Sequence, residues 1–321
     1  MGKGTTRRTF FAIALAAAMA LPASAQQMDQ LTIMAPAAPG GGWDGTARVM
    51  QDVLQSAGIV KSVTVENVAG AGGTVGIAQF AKKKGDGKSL MVSGLVMVGA
   101  ILSNKSPVTL TDVTPIARLT SEWEAIAVPA DSELKTLGDL IAKLKADPGS
   151  VSWGGGSAGG TDHITAALFA KAVGVDPAKV NYIAHSGGGE AMASILGGHV
   201  TLGINSASEL EPQVQAGKLR WLGVSSDQRI AGIDAPTFKE QGVDLVIGNW
   251  RAVMAPPGIS QADREKLTAV IDAMVKSDQW KQKLTERNWL DNYLSGPEFE
   301  RYLAEENQRV TEILKSVGLV N

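Results

Sequence analysis

A serine inside Gly155-Gly-Ser157-Ala-Gly159, three histidines and four glycine clusters are the residues whose types and spacing suggest chemistry. The pentapeptide has the G-x-S-x-G form of a nucleophile elbow, which sets a serine between a strand and a helix. A hydrolase built on it needs an acid and then a histidine later in the chain. His163 falls on the helix that the elbow would launch and cannot easily turn back to Ser157. His185 and His199 follow with little room for the usual intervening strands. The competing reading, a serine donating a hydrogen bond at a helix N-terminus, fits this spacing better. Gly40-Gly-Gly-Trp-Asp-Gly45 and Gly154-Gly-Gly-Ser-Ala-Gly159 have the G-x-G-x-x-G form of dinucleotide-binding loops. Glycine-dense chains produce that pattern by chance, and no cofactor is expected. The histidines lack the i, i+4 pairing of zinc enzymes, so no metal is expected. Cysteine is absent, which excludes thiol catalysis and disulfides.

The glycines cluster at Gly40–Gly45, Gly70–Gly76, Gly154–Gly160 and Gly187–Gly189. Each cluster follows a β-like run and precedes a helix-like one. The strands are expected at Leu31–Ala35, Val63–Asn67, Val151–Trp153 and Asn181–Ala184. The helices are expected at Trp43–Ala57, Thr74–Ala81, Thr161–Val173 and Glu190–Leu196. Such alternation predicts an α/β fold with a mainly parallel sheet. All four glycine loops would then lie beyond the carboxyl ends of the strands, where ligands sit. Further strands are expected at Ala125–Pro129, Val200–Ile204 and Leu219–Ser225, and further helices at Thr136–Ala146, Glu209–Ala216, Gln261–Lys276 and Pro297–Val317.

The first 25 residues read as a secretory signal peptide. Lys3, Arg7 and Arg8 precede an apolar run from Phe10 to Leu21 and a small-x-small end at Ala23-Ser-Ala25. Removing three bases from thirty leaves 27 against 32 acids, a net charge of −5. That balance, with no basic stripe, argues against nucleic acid. An exported chain of this length without disulfides must rely on its core.

A helix N-terminus presents unpaired N–H donors and partial positive charge, and so favours anions. Several such termini aimed at one cleft would hold a small molecule bearing carboxylates. The segments Met34–Ala47, Glu66–Phe80 and Val151–Ala170 contain no lysine or arginine. An anion there would rest on backbone amides and on hydroxyls such as Ser157 and Thr161. Arg48 and Arg251 are the basic residues placed to reach the cleft. Trp43 and Trp153 adjoin glycine loops as candidate walls, and Asp44 and Asp162 fall in first helical turns, where each complements the N-terminus.

Seven segments in register carry a resemblance. They are Ala38-Pro-Gly-Gly-Gly-Trp-Asp44, Ala69-Gly-Ala-Gly-Gly-Thr-Val-Gly76, the run from Gly154 to His163, Ile195-Leu-Gly-Gly-His-Val200, Ala216-Gly-Lys-Leu-Arg220, the run from Ala235 to Gly242, and that from Trp250 to Gly258. In these the chain resembles the substrate-binding proteins of tripartite tricarboxylate transporters, the Bug-type periplasmic solute receptors. The resemblance implies a non-enzymatic, periplasmic receptor with a two-lobed periplasmic-binding-protein-like fold and a ligand cleft between lobes joined by two crossing strands. By analogy, lobe one is 26–126 plus 226–321 and lobe two is 127–225, with crossings at Ala125–Val128 and Leu222–Val224. The implied partners are a small di- or tricarboxylate and the integral-membrane permease subunits of the transporter. The implied ligand contacts come first from Pro39, Gly40, Gly41, Gly42, Trp43 and Asp44. Others are Gly72, Gly73, Thr74 and Ser93. A third set is Gly156, Ser157, Gly159, Gly160, Thr161, Asp162 and His163, and the last is His185, Ser186 and Asn205. The chain departs from the family where a Tyr-Lys-Gly-like segment is replaced by His185-Ser-Gly187 and an Asp-Asn pair by Ile204-Asn205. From the residues alone, the rival class is an exported α/β serine hydrolase using Ser157.

Overall fold

A computed structural model of the chain describes residues 1–2 and 27–320. Apart from Met1 and Gly2, the expected signal peptide lies outside the described residues. Among those described, no helix is long and apolar enough to cross a membrane.

The fold is organised by one strand. β4 (Thr114–Pro129) is 16 residues long, or about 50 Å at the usual strand rise. Its residues 114–123 pair with β9 (Gly248–Ala255), and its residues 124–129 pair with β7 (Leu202–Ser206) and β8 (Leu219–Val224). The first half of the sheet runs outward from β9 through β3 (Ser89–Gly94) and β1 (Met28–Ala35) to β2 (Val60–Asn67). The second half runs from β7 through β5 (Ser152–Gly155) to β6 (Asn181–Ala184), and β10 (Leu290–Ser295) pairs with β4. Ala125, Ile126, Ala127 and Val128 are fully buried where β4 enters the second half. Such a run, apolar on both faces, is what a strand covered on both sides requires.

The sheet is mixed, which corrects the expectation of a mainly parallel one. The pairs β1–β2, β1–β3, β5–β6 and β5–β7 are parallel, whereas β3–β9 and every pairing of β4 are antiparallel. The glycine-linked strand–helix units are the parallel part. β4 runs antiparallel to β7, β8, β9 and β10, none of which follows it directly in the chain. The apolar run Leu90–Leu102 conceals two elements, β3 and helix α3 (Leu95–Ser103), turning at Gly94.

The helices that matter to the glycine loops are α1 (Gly42–Ser56), α2 (Thr74–Phe80), α5 (Thr161–Ala172), α6 (Gly188–Leu196) and α7 (Ala207–Gln215). Elsewhere α4 (Leu137–Ala146) starts in a capping box of Thr136 with Asp139, and α8 (Gln261–Lys276) starts on Ser260. Helix α9 (Asp278–Glu286) follows, and α10 (Gly296–Ser316) lies over α3 and β4. Buried Glu306 of α10 accepts the Trp250 Nε1–H at 2.8 Å. That bond ties β9 to the helical layer and fixes the strand that carries Arg251.

Candidate functional site

All four glycine clusters meet at one pocket, formed where β4 passes from one half of the sheet to the other. Its walls are Gly41, Gly42 and Trp43 at the start of α1, Gly72 and Gly73 before α2, Gly156, Ser157 and Gly160 before α5, and Ser186 to Gly188 before α6. Pro36, Ala37 and Val96 complete the walls, and the empty space within, open rim included, is about 530 Å³. The first N–H groups of α1, α5 and α6 have no partner a turn back within their own helices. Gly72 and Gly73 take φ of +63° and +90°, and a Cβ on Gly73 would stand 2.6 Å from the Trp43 ring. Glycine is required there for both conformation and space.

The two sides touch at the mouth. A Cβ on Gly41 would lie 3.2 Å from the Gly188 nitrogen, and one on Gly189 would lie 3.5 Å from the Pro39 carbonyl oxygen. The β1–α1 loop therefore closes onto the beginning of α6.

Polar side chains from both halves form the floor. Arg251 donates from Nη2 to Glu122 Oε1 at 2.6 Å and from Nη1 to Asn249 Oδ1 at 3.2 Å. Both ions of this pair are buried, each side chain 5% exposed. Glu209 Oε1 stands 4.0 Å from the same Nη2, and its Oε2 accepts from Asn205 Nδ2 at 3.2 Å. Asn249 Nδ2 donates to Glu124 Oε1 at 3.1 Å. Asp162 accepts the Gly156 N–H at 2.6 Å. Burial raises the Asp162 pKa, with the Gly156 N–H and the Arg251 charge opposing it. Burial pushes Glu209 up to about 8, with the Glu122 charge adding to the shift. Glu124 is raised well above the carboxylate range, by burial first and by Asp162 next. The indole N–H of Trp43 and the Nε–H of Arg251 are buried without a hydrogen-bond partner.

The expected contacts divide into those on the pocket wall and those that support it. Gly41, Gly42, Trp43, Gly72, Gly73, Gly156, Ser157, Gly160, Asp162, Ser186 and Asn205 line the pocket. Pro39, Gly40, Asp44, Thr74, Ser93, Gly159, Thr161, His163 and His185 are not on its wall. Asp44 locks the first loop, accepting from Gly40 N–H at 2.9 Å, Arg48 Nε at 3.0 Å and Asn67 Nδ2 at 3.0 Å. Burial pushes its pKa up, but these donors outweigh burial and hold it below the usual value. Thr161 donates to Asn249 Oδ1 at 3.2 Å, Ser93 to Met97 Sδ at 3.5 Å and Thr74 to the Ala71 carbonyl at 2.9 Å. Gly159 supplies a left-handed turn at φ +75°. Its N–H donates to His163 Nδ1 at 3.1 Å. That ring stacks on Tyr182 at 4.2 Å. Burial pushes His163 down to about 4, so it is neutral. His185 Nδ1 lies 2.9 Å from the Gly155 carbonyl oxygen. Among the described residues no hydrogen bond joins Ser157 to a histidine. Trp153 is fully buried and packs on Phe169 rather than walling the pocket.

The sequence reading missed Glu209, Asn249 and Glu122. Arg251 reaches the pocket, while half-exposed Arg48 pairs with Asp44 instead.

The family model for the tripartite tricarboxylate transporter family receptor matches residues 46–319. The chain belongs to that family. The receptor is 31% identical over 277 residues to an Agrobacterium vitis protein described only by its place in the ttuE–ttuC' intergenic region, covering 83% of this chain and 78% of that one. Its structure resembles the periplasmic binding protein BugD with a TM-score of 0.82 at 23% identity, covering 91% of this chain and 98% of that one. It resembles equally, also with a TM-score of 0.82 and 23% identity, a Rhodopseudomonas palustris protein solved with adipate, covering 90% and 97% of the two chains. The fold is thus the mixed α/β fold of periplasmic binding proteins, and the family is one of solute receptors rather than enzymes.

Proposed function

We propose that this receptor is exported, closes on a small di- or tricarboxylate and hands it to the membrane permease subunits of a tripartite tricarboxylate transporter. The observation that carries the reading is the convergence of three helix N-termini and four glycine clusters on one pocket. An anion leaving water must regain its hydrogen bonds. Here the N–H groups of Gly41–Trp43, Ser157 and Gly187–Gly188 are the donors proposed for it, those of Gly159 and Gly160 being taken by His163 Nδ1 and the Ser157 carbonyl. The guanidinium on the wall among the described residues, Arg251, is already engaged by Glu122. A space of this size takes a small solute and no macromolecule.

Lobe one is assigned to 26–126 plus 226–321 and lobe two to 127–225. β4 is one crossing. The other is assigned to Leu222–Val224 at the end of β8, next to which the Ser225 N–H donates to the Glu124 carbonyl at 2.8 Å. Two adjacent crossings make a hinge that can open the mouth at Gly41 and Gly188.

A thermal-shift screen of di- and tricarboxylates tests the binding function, since a ligand that binds only the folded state raises its melting temperature. Small-angle scattering with the best ligand should show a smaller radius of gyration. A screen in which no acid stabilises the protein, or covalent labelling of Ser157 by a fluorophosphonate, would overturn the reading.

A further inference from the structure

The charge of the pocket floor runs against its proposed cargo. Four carboxyl groups stand around the single guanidinium of Arg251: Glu122 and Glu124 from β4, Asp162 from α5 and Glu209 from α7. Three of them are already placed. Glu122 takes Arg251 on one oxygen and the Ser208 hydroxyl, at 2.6 Å, on the other. Asp162 holds the Gly156 N–H, and Glu124 lies beneath Asn249 with its second oxygen buried and unpartnered. Glu209 is different. It lines the pocket, and a Cβ on either Gly42 or Gly188 would collide with its carboxyl oxygens, so it fills the gap between the two loops that would grip the ligand. Among the described residues its Oε1 takes no hydrogen bond; Arg251 Nη2 stands 4.0 Å from it. The Arg251 Nε–H beside the pocket is buried and, among the described residues, unpaired.

An anion entering here meets that free carboxyl oxygen. Two carboxylates sharing a desolvated site cannot both stay ionised. We propose that Glu209 holds a proton whenever the pocket holds a carboxylate, so that its O–H donates to the ligand and binding draws a proton from solvent. The inference rests on the carboxylate-receptor reading. The proton comes from bulk water or buffer and forms the O–H bond on Glu209; no bond of the ligand breaks. A path exists, because Glu209 also lines an outer chamber and its side chain is 19% exposed. The groups facing it are Glu122 and Glu124 from β4, Asp162 from α5, Arg251 from β9 and Asn205 from β7. α1 and α6 bring the backbone of Gly42 and Gly188 against it, while Asp44 of α1, Met192 of α6 and Arg287 share the outer chamber. Burial and the Glu122 charge already favour the protonated form, with Arg251 opposing.

The test is calorimetry of the receptor with adipate from about pH 7 and with citrate from about pH 8, each up to about pH 9.5, where each acid is fully ionised, in buffers of differing ionisation heat. The expected result is affinity that is level near neutrality and falls up to about tenfold per pH unit above about pH 8, with about one proton taken up per ligand at the alkaline end. Glu209→Gln, which keeps a donor in the same place, should bind with no proton uptake and a flat pH profile. Glu209→Ala should lose the uptake too. Wild-type binding without uptake across the range overturns the proposal, whether or not the variants fold. Uptake undiminished in Glu209→Gln overturns the assignment to Glu209. Proton release on binding an amine-bearing diacid also overturns it, because an ammonium would then pair with ionised Glu209. Failure of both acids to bind at any pH would instead count against these acids as cargo, and so against the functional reading.

Discussion

Replacing Gly41 by valine should separate binding from folding. Gly41 has φ −95° and ψ 177°, which any residue adopts, so the substitution strains no backbone. Its effect is steric. The new Cβ would lie 3.2 Å from the Gly188 backbone nitrogen, inside the usual contact of about 3.5 Å, and the two valine methyls extend beyond it. Overpacking costs about 1–3 kcal/mol, and the upper end applies because backbone cannot rotate away. If ligand is held only when this mouth is shut, that cost falls on affinity, a loss of about thirtyfold to a hundredfold. Folding loses much less. Gly41 is the N-cap of α1, without a side-chain bond, and valine there costs about 1 kcal/mol, or a few degrees of melting temperature. Gly41→Ala should fall between, a few-fold in affinity. Calorimetry of both variants with the best carboxylate, beside a thermal melt, reads the two effects separately. A valine variant that binds within threefold of wild type would refute the closing contact and the loop's part in holding the ligand.

Other perturbations should behave as follows. Trp43→Phe should abolish most of any ligand-induced tryptophan fluorescence change, because Trp43 lines the pocket while Trp153 is buried away from it; an intact signal would remove Trp43 from the site. His163 is held neutral with a pKa of about 4 against about 6.5 when unfolded, so its contribution is full above pH 6.5 and is lost as the pH falls toward 4, about 3 kcal/mol in all. Denaturant melts of His163→Gln should therefore lose less stability than wild type over that window, and equal losses would show that the buried ring is not responsible. Arg251→Ala should destabilise by about 3–5 kcal/mol, since it strands the buried Glu122 carboxylate. Arg48→Ala should cost less than about 1 kcal/mol, because Arg48 is half exposed and buried Asp44 keeps its Gly40 and Asn67 donors; the reverse order in urea titrations would contradict the network described.

The glycine loops were legible because a strand, a glycine run and a helix in succession leave a clear pattern, and their convergence follows from parallel pairing. The boundaries of β6 and α8 coincide with those expected. The central strand was only partly legible. Ala125–Pro129 reads as a strand, but Thr114–Glu124 mixes threonine, arginine and glutamate, with Glu122 and Glu124 in the pocket floor and Arg118 turned to β10 and α10, and the apolar pattern fails there. The run at Leu90–Leu102 is apolar on either side of Ser93 and Gly94, so hydrophobic periodicity alone does not divide it into β3 and α3. The floor residues carry still less signal. Glu209 in the first turn of α7 looks like any acid complementing a helix N-terminus. Only the fold brings it to within 4.0 Å of Arg251, 42 positions further along the chain. Thr161, His163 and His185 lie off the pocket wall, where the Thr161 hydroxyl and the Nδ1 of each histidine meet neighbouring groups around the loop.

The central claim is that backbone N–H groups at the glycine loops hold a ligand's carboxylates. Titration calorimetry of adipate and citrate against their methyl esters tests it most directly, because esterification removes the charge and leaves the carbon skeleton. The account predicts that at least one free acid binds saturably at one per chain and that its ester binds at least about a hundredfold more weakly, since an ester loses the charge-assisted hydrogen bonds. An ester that binds as tightly as its acid would contradict it.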